Sequence, residues 1–193
     1  MKSIAIFCGS SIGHSPIFRG EAAALAETLA TRNIRIVYGG AKVGLMGVIA
    51  DAALKSGGKV TGILPDFLES KEIAHRGLSE LIIVKSMHER KTKMHDLCDG
   101  IIALPGGYGT LEELFEIITW AQLGLHGKPV GILNINGFYD PLIEMLQTMM
   151  SAGFLKEVNY KMMLVSKNIS ELLELMHQYR PPVVGKWIKE DEV

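Results

Sequence analysis

Cysteine is scarce in this chain. Cys8 and Cys98 are the only two, and they form no CxxC pair and no metal-ligand cluster. That excludes a disulfide scaffold or a thiolate metal site and leaves two buried thiols, as expected of a cytoplasmic protein. Net charge is also nearly absent, because 20 Lys plus Arg against 21 Asp plus Glu leave a formal −1. A general nucleic-acid binder carries a strongly basic face, so that class is excluded, while a small anionic ligand needs only a local patch. No apolar run reaches the ~18 residues of a membrane span. The Met1-Lys2-Ser3 start, with Ile4 to Phe7 after it, is too short in apolar length for a signal peptide. Internal repeats, low-complexity segments and a second domain are missing as well. So are GxGxxG and GxxxxGK[ST], the signatures of dinucleotide and P-loop sites.

What the chain does have is an apolar composition, 48% hydrophobic over 193 residues, enough for one domain with its own core. Short apolar runs alternate with amphipathic ones. Strands are predicted at Ser3–Gly9, Ile34–Tyr38, Lys59–Ile63, Glu80–Val84, Gly100–Leu104 and Pro129–Leu133, with a short edge strand at Met163–Val165. Helices are predicted from Ser15-Pro16 (N-cap and N1) to about Arg32, and over Leu45–Ser56, Met87–Cys98, Thr110–Leu123 and Tyr139–Ala152. A last helix runs from the Asn168–Glu171 capping box to about Gln178. Leu64–Leu78 reads as a long irregular connection. Consecutive apolar residues mean strands covered on both faces. The expectation is therefore an α/β, Rossmann-like three-layer sandwich, with a mostly parallel sheet and helices on both faces. Residues 1–180 are expected to form one domain, and 181–193 a C-terminal tail.

Glycine is the surplus, at 21 of 193 residues. Nine of these stand just past three predicted strands: Gly9 and Gly13; Gly39, Gly40, Gly44 and Gly47; Gly106, Gly107 and Gly109. Each group alone could serve only a tight turn, but three at one sheet edge, each leading into a helix N-terminus, suit a phosphate. The most specific segment is Pro105-Gly106-Gly107-Tyr108-Gly109-Thr110-Leu111-Glu112-Glu113. On spacing alone Thr110-x-x-Glu113 favours a capping box. A carboxylate beside a phosphate cradle is nevertheless repelled by it, and a site tolerates one that has chemistry to do. From Lys85 to Lys93 four basic residues face one acid. Either they are a solvated helix face, or an anionic ligand balances cations that oppose the helix dipole. Arg90 suits forked contact with phosphate or ribose oxygens. His88 and His95 read as surface histidines. Met46 and Met87 flank the proposed ligand loops.

These segments resemble the LOG ("lonely guy") family, cytokinin-activating phosphoribohydrolases that long carried a lysine-decarboxylase label. The match includes Cys8-Gly9-Ser10-Ser11, Tyr38-Gly39-Gly40 with Gly44-Leu45-Met46-Gly47, Met87-His88-Glu89-Arg90-Lys91, and Ile118 to Gly124. The departure is Ala41, where many members have a third glycine; little effect is expected unless that residue needs positive φ.

The resemblance implies hydrolysis of the N-glycosidic bond of AMP or an N6-substituted (cytokinin-type) AMP, giving free base and ribose 5-phosphate. It implies Arg90 and Glu113 as the catalytic pair and Gly106, Gly107, Tyr108, Gly109 and Thr110 around the 5′-phosphate. Gly9, Ser10, Gly39, Gly40, Met46, Glu72, Met87, Lys91 and Thr119 would be further substrate contacts. It implies a homodimer and neither a metal nor an organic cofactor. The alternative is a non-catalytic carrier or sensor of a phosphorylated ligand, as in molybdenum-cofactor carriers. The Met87–Lys91 segment together with Glu113 speaks against that.

Overall fold

A computed structural model describes residues 1–69 and 73–182. In chain order the elements are β1 (Ser3–Phe7), α1 (Pro16–Thr31), β2 (Arg35–Tyr38), α2 (Gly44–Lys55), β3 (Val60–Pro65), α3 (Asp66–Glu69), β4 (Glu80–Val84) and α4 (Met87–Asp96). Then follow β5 (Gly100–Ala103), α5 (Tyr108–Gln122), β6 (Val130–Leu133), α6 (Asp140–Ser151), α7 (Glu157–Tyr160), β7 (Met163–Ser166) and α8 (Ile169–Gln178). The strands form one sheet in the order β4-β3-β2-β1-β5-β6-β7, parallel at every pairing.

Strand side chains point alternately to the two faces, and both faces of the inner strands are dry. Ile4 and Ile6 of β1 enter one core with Leu25 and Leu29 of α1, Leu45 and Ile49 of α2, and Leu172 of α8. Ala5 and Phe7 enter the other, with Met94 of α4, Leu114 and Ile117 of α5, and Tyr139. On α1 the buried residues Ala22, Leu25, Ala26 and Leu29 recur at helical spacing and make one apolar stripe. The predicted strands, the main helices and the three layers are all present. The fold adds three short elements that their few residues did not announce: α3, α7 and a 3₁₀ turn at Ile135–Gly137. Among the described residues no helix is long and apolar enough to cross a membrane. Both cysteines are buried and free. Of the proposed tail, residues 183–193 lie outside the described residues.

The α8 capping box forms with a relay. Asn168 Oδ1 accepts from Glu171 N at 3.1 Å. The return bond runs through Ser166, whose Oγ accepts from Asn168 N at 2.9 Å and donates to Glu171 Oε2 at 2.6 Å. Ala41 has no positive φ and bridges Ala74, so the expectation that alanine is harmless there holds.

His95 corrects the surface expectation. Its side chain is only 16% exposed, packed edge-on against Trp120 at 5.6 Å and beside His126 at 4.9 Å. Its buried Nε2 has no hydrogen-bond partner. Burial, helped by Lys128 and His126, pushes its pKa down to about 4. The unfolded chain binds a proton near pH 6.5, well before this site does, so stability falls as pH drops from 6.5 towards 4. The loss is on the order of 2–3 kcal/mol at most. Denaturation midpoints of His95→Phe, measured over that window, should fall less steeply than those of the wild type.

Candidate active site

In an open parallel sheet the ligand crevice lies beyond the strand C-termini, where the strand order reverses. Here that point lies between β1 and β5, both of whose loops carry the glycines. The loops touch: Gly9 N donates to Pro105 O at 3.0 Å, and a Cβ on Gly9 would stand 3.3 Å from Gly106 Cα. A Cβ on Gly106 would overlap Thr110 Oγ1 and stand 2.9 Å from Gly9 N. Gly44, at φ +59°, lets α2 start against the Ser10 backbone. A side chain on Gly39 would occupy the place of the Arg90 guanidinium. The three glycine groups therefore meet, and glycine is what lets the loops approach.

Between them lies a pocket of about 270 Å³. Cys8, Gly9 and Ser10 form one wall, Met46, Met87 and Arg90 the second, and Gly107 to Thr110 with Glu112 and Glu113 the third. A cavity of about 370 Å³ opens at the opposite end of the sheet among Lys2, Arg35 and Lys59. It faces the ends of α1 and α2, so its cations complement helix carbonyls and no chemistry is assigned to it.

The third wall is the start of α5. Its N-cap is Gly107, which has no side chain to cap with, so the first-turn amides remain open to an anion. This overturns the capping-box alternative. Thr110 is the third helical residue, buried, and Glu113 sits one turn further in. In α4 the reverse holds. Ser86 Oγ accepts from Glu89 N at 3.1 Å, and Glu89 Oε2 accepts from Lys85 N at 2.8 Å. Its N-terminus is thus capped from within. Its cations are dispersed, Arg90 towards the pocket and Lys91 towards α5.

Arg90 and Glu113 face each other, Nη1 to Oε1, at 3.7 Å, with side chains 12% and 11% exposed. Arg90 Nε donates to Ile63 O at 3.2 Å, which aims the guanidinium across the pocket floor. Among the described residues Glu113 accepts no bond as short as that. Burial raises its pKa to about 7 against the pull of Arg90, with Glu112 adding to the rise. A carboxyl poised near neutrality beside a fixed cation in a cleft has the chemistry to take or give a proton. The same burial, with Glu113 alongside, pushes the Cys8 thiol far up, which disfavours the thiolate that a nucleophile needs.

Ten of the sixteen expected site residues line this pocket: Arg90, Glu113, Gly9, Ser10, Met46, Met87, Gly107, Tyr108, Gly109 and Thr110. Gly39 and Gly106 stand directly behind it. Gly40 does not approach it. Its positive φ of 75° turns the chain against Leu64 of β3 and Leu81 of β4. Thr119 lies nine residues beyond Thr110 on α5, ~13 Å along the axis, and its hydroxyl bonds to Phe115 O. Lys91 Nζ is taken up by Glu112 at 2.6 Å and Glu116 at 3.0 Å. Glu72 falls outside the described residues, as do residues 70 and 71. Cys8 and Glu112 are lining residues that sequence reasoning missed. Among the described residues no three His, Cys, Asp or Glu side chains converge as metal ligands.

The fold and the site together define a Rossmann-like α/β protein with an open helix terminus and an acid–guanidinium pair in one crevice. The chain belongs to the family of cytokinin riboside 5′-monophosphate phosphoribohydrolases. It is 45% identical over 180 residues to the Arabidopsis thaliana phosphoribohydrolase LOG2, covering 93% of this chain and 84% of that one. It is 42% identical over 192 residues to the Oryza sativa LOG enzyme, covering 100% and 79%. A family model described as "Possible lysine decarboxylase" matches residues 46–176. Solved structures share the fold. The Chlamydomonas reinhardtii molybdenum cofactor carrier protein superposes with a TM-score of 0.69 at 19% identity, covering 91% of this chain and 96% of that one. The Rippkaea orientalis molybdenum cofactor binding protein gives 0.68 at 20%, covering 91% and 94%.

Proposed function

We infer that this protein is a nucleoside 5′-monophosphate phosphoribohydrolase. It cleaves the N-glycosidic bond of AMP or an N6-substituted, cytokinin-type AMP, releasing the base and ribose 5-phosphate. The observation that carries this reading is the buried Arg90–Glu113 pair beside the open N-terminus of α5. The first-turn amides and the Thr110 hydroxyl take the 5′-phosphate, which sets the ribose over Glu113. As the bond to the base lengthens, positive charge develops on the sugar. The Glu113 carboxylate stabilises it and accepts a proton from the water that attacks C1′. The base leaves with the bonding electron pair. Arg90 keeps Glu113 ionisable against its burial and offers donors to ribose or phosphate oxygens.

A pyridoxal-dependent decarboxylation fits these residues poorly. A Schiff-base lysine needs a depressed pKa. Burial pulls Lys91 down, but its bonds to Glu112 and Glu116 outweigh that and hold it above the ordinary value. A carrier function would leave a buried, near-neutral carboxyl without a task.

Purified protein incubated with AMP and with isopentenyladenosine monophosphate should release free base from at least one. Folded protein that releases none would refute the reading. Because the carboxylate is the active form, kcat/KM should rise with pH through a midpoint near 7, the value burial gives Glu113. A flat profile from about pH 5.5 to about 8.5 would remove Glu113 from the chemistry. The homodimer belongs to this proposal too, supported by what the family resemblance implies; light scattering at twice the chain mass is the check. Cytoplasmic location is proposed alongside it, supported by the two buried free thiols.

A further inference from the structure

Arg90 and Lys91 are consecutive on α4, and both reach across to α5. Residues 112 and 116 are one turn apart and share a helix face, with Glu113 about 100° round from it. Lys91 Nζ bonds both acids of that face, Glu112 Oε1 at 2.6 Å and Glu116 Oε1 at 3.0 Å. The Lys91 side chain is mostly enclosed, and so is that of Glu116. The remaining oxygen of Glu116, Oε2, is buried, lies 3.0 Å from the same Nζ, and has no hydrogen-bond partner of its own. Lys91 is therefore the cation that makes this partly buried acid tolerable. By contrast the neighbouring Arg90–Glu113 contact is loose, at 3.7 Å. The tight contact holds the two helices, and the loose one occupies the space left between them.

We propose that Lys91 is a positioning residue for the proposed hydrolysis: bridging Glu112 and Glu116 from α4, it fixes α5 so that Glu113 faces Arg90 across the pocket. The inference rests on the phosphoribohydrolase reading and adds a role that a substrate contact would not have.

The charges around Glu113 give the bridge a second consequence. From α4 it is faced by Arg90 and Lys91, from α5 by Glu112 and Glu116, and from the end of β1 by Cys8. Arg90 and Lys91 favour its ionised form, while Glu112 and Glu116 oppose it. Cys8 stays a neutral thiol because its own burial holds it protonated. Lys91 thus acts twice, as a cation near Glu113 and as the partner that neutralises the two acids opposing it. Removing Lys91 leaves both acids uncompensated, and Glu113 must then protonate at higher pH.

The test uses Lys91→Met, Lys91→Arg and the triple variant Lys91→Met/Glu112→Gln/Glu116→Gln, assayed with AMP from about pH 5 to about pH 9. The ¹³C titration of the Glu113 carboxyl is followed in the same proteins without ligand. Lys91→Met should lower kcat by about 10- to 100-fold with KM within about threefold. Its acid limb and its ¹³C midpoint should both move up by about one pH unit. Lys91→Arg should restore the limb. The triple variant carries no buried unpaired acid, so it folds even if the single variant does not. Its limb should return to the wild-type position while kcat stays low, since the bridge is gone. A tenfold rise in KM with kcat and limb unmoved would make Lys91 a substrate contact and overturn the proposal, as would a triple variant with wild-type kcat. If the wild type releases no base, the phosphoribohydrolase reading fails, yet the ¹³C titration still decides: an unmoved midpoint in Lys91→Met overturns the proposal.

Discussion

Glu113→Gln should lower kcat by about 10³-fold or more and, at alkaline pH, make the protein more stable than the wild type. The activity loss follows from the proposed chemistry, in which Glu113 both stabilises positive charge on the sugar and takes a proton from water; a positioned acid–base group is worth about 10²- to 10⁴-fold. The stability gain follows from burial. Glu113 is buried to within 9% of full enclosure, and its folded-state pKa of about 7 stands above the ordinary 4.5. The folded protein therefore holds a proton that the unfolded chain has already released, and stability declines as pH rises from 4.5 through 7. The full decline is about 3 kcal/mol, taking about 1.36 kcal/mol per unit of displacement. Glutamine copies the neutral carboxyl in shape and never ionises. By urea denaturation the two proteins should match at about pH 5 and diverge by about pH 8.5, with the Glu113→Gln variant the more stable. A variant equally destabilised at both pH values and still active would return Glu113 to a structural role. The expected pattern marks a site whose reactive group is kept at a cost to the fold.

Gly39→Ala should lower kcat by about 10²-fold while leaving the fold intact. A methyl group there would take the place of the Arg90 guanidinium and stand 3.3 Å from Met46 Sδ. The guanidinium is the far end of a flexible side chain, so it is displaced at little cost to packing. Its bond to Ile63 O and its place opposite Glu113 are then lost. A displacement of ~1 Å in a positioning group costs about 10² in rate, and Arg90→Ala should show a loss of similar size. Gly39→Ala and Arg90→Ala combined should be no worse than Arg90→Ala alone, because both changes act on one side chain. Additive losses would place Gly39 in contact with substrate instead.

Gly39 also shows how far the sequence could be read. That glycines after β1, β2 and β5 would gather at one end of the sheet was visible from their place at strand ends. What each one does was not. Gly39 yields to a side chain from α4, Gly106 to Thr110, and Gly40 to Leu64 and Leu81; the contacts of Gly39 and Gly40 join segments far apart in the chain. Glu113 stood out because a carboxylate beside a phosphate cradle is electrostatically awkward. Its rival explanation, a cap with Thr110, fell only when the helix was seen to begin at Tyr108. The cations of α4 looked like an unmet demand for an anion. In the fold two acids of α5 take up Lys91, and Arg90 faces Glu113.

By itself, then, the sequence determined the alternation of elements, the double burial of the strands and the chemical identity of Arg90 and Glu113. Those properties are set by residue type and short-range spacing. Only the tertiary structure decided which residues meet: that three glycine loops close on one pocket, that Lys91 spends its charge on Glu112 and Glu116, and that Glu113 lies deep enough to titrate near neutrality. Burial and charge proximity depend on the order of strands in the sheet and the packing of helices across it, and neither is written in any local pattern.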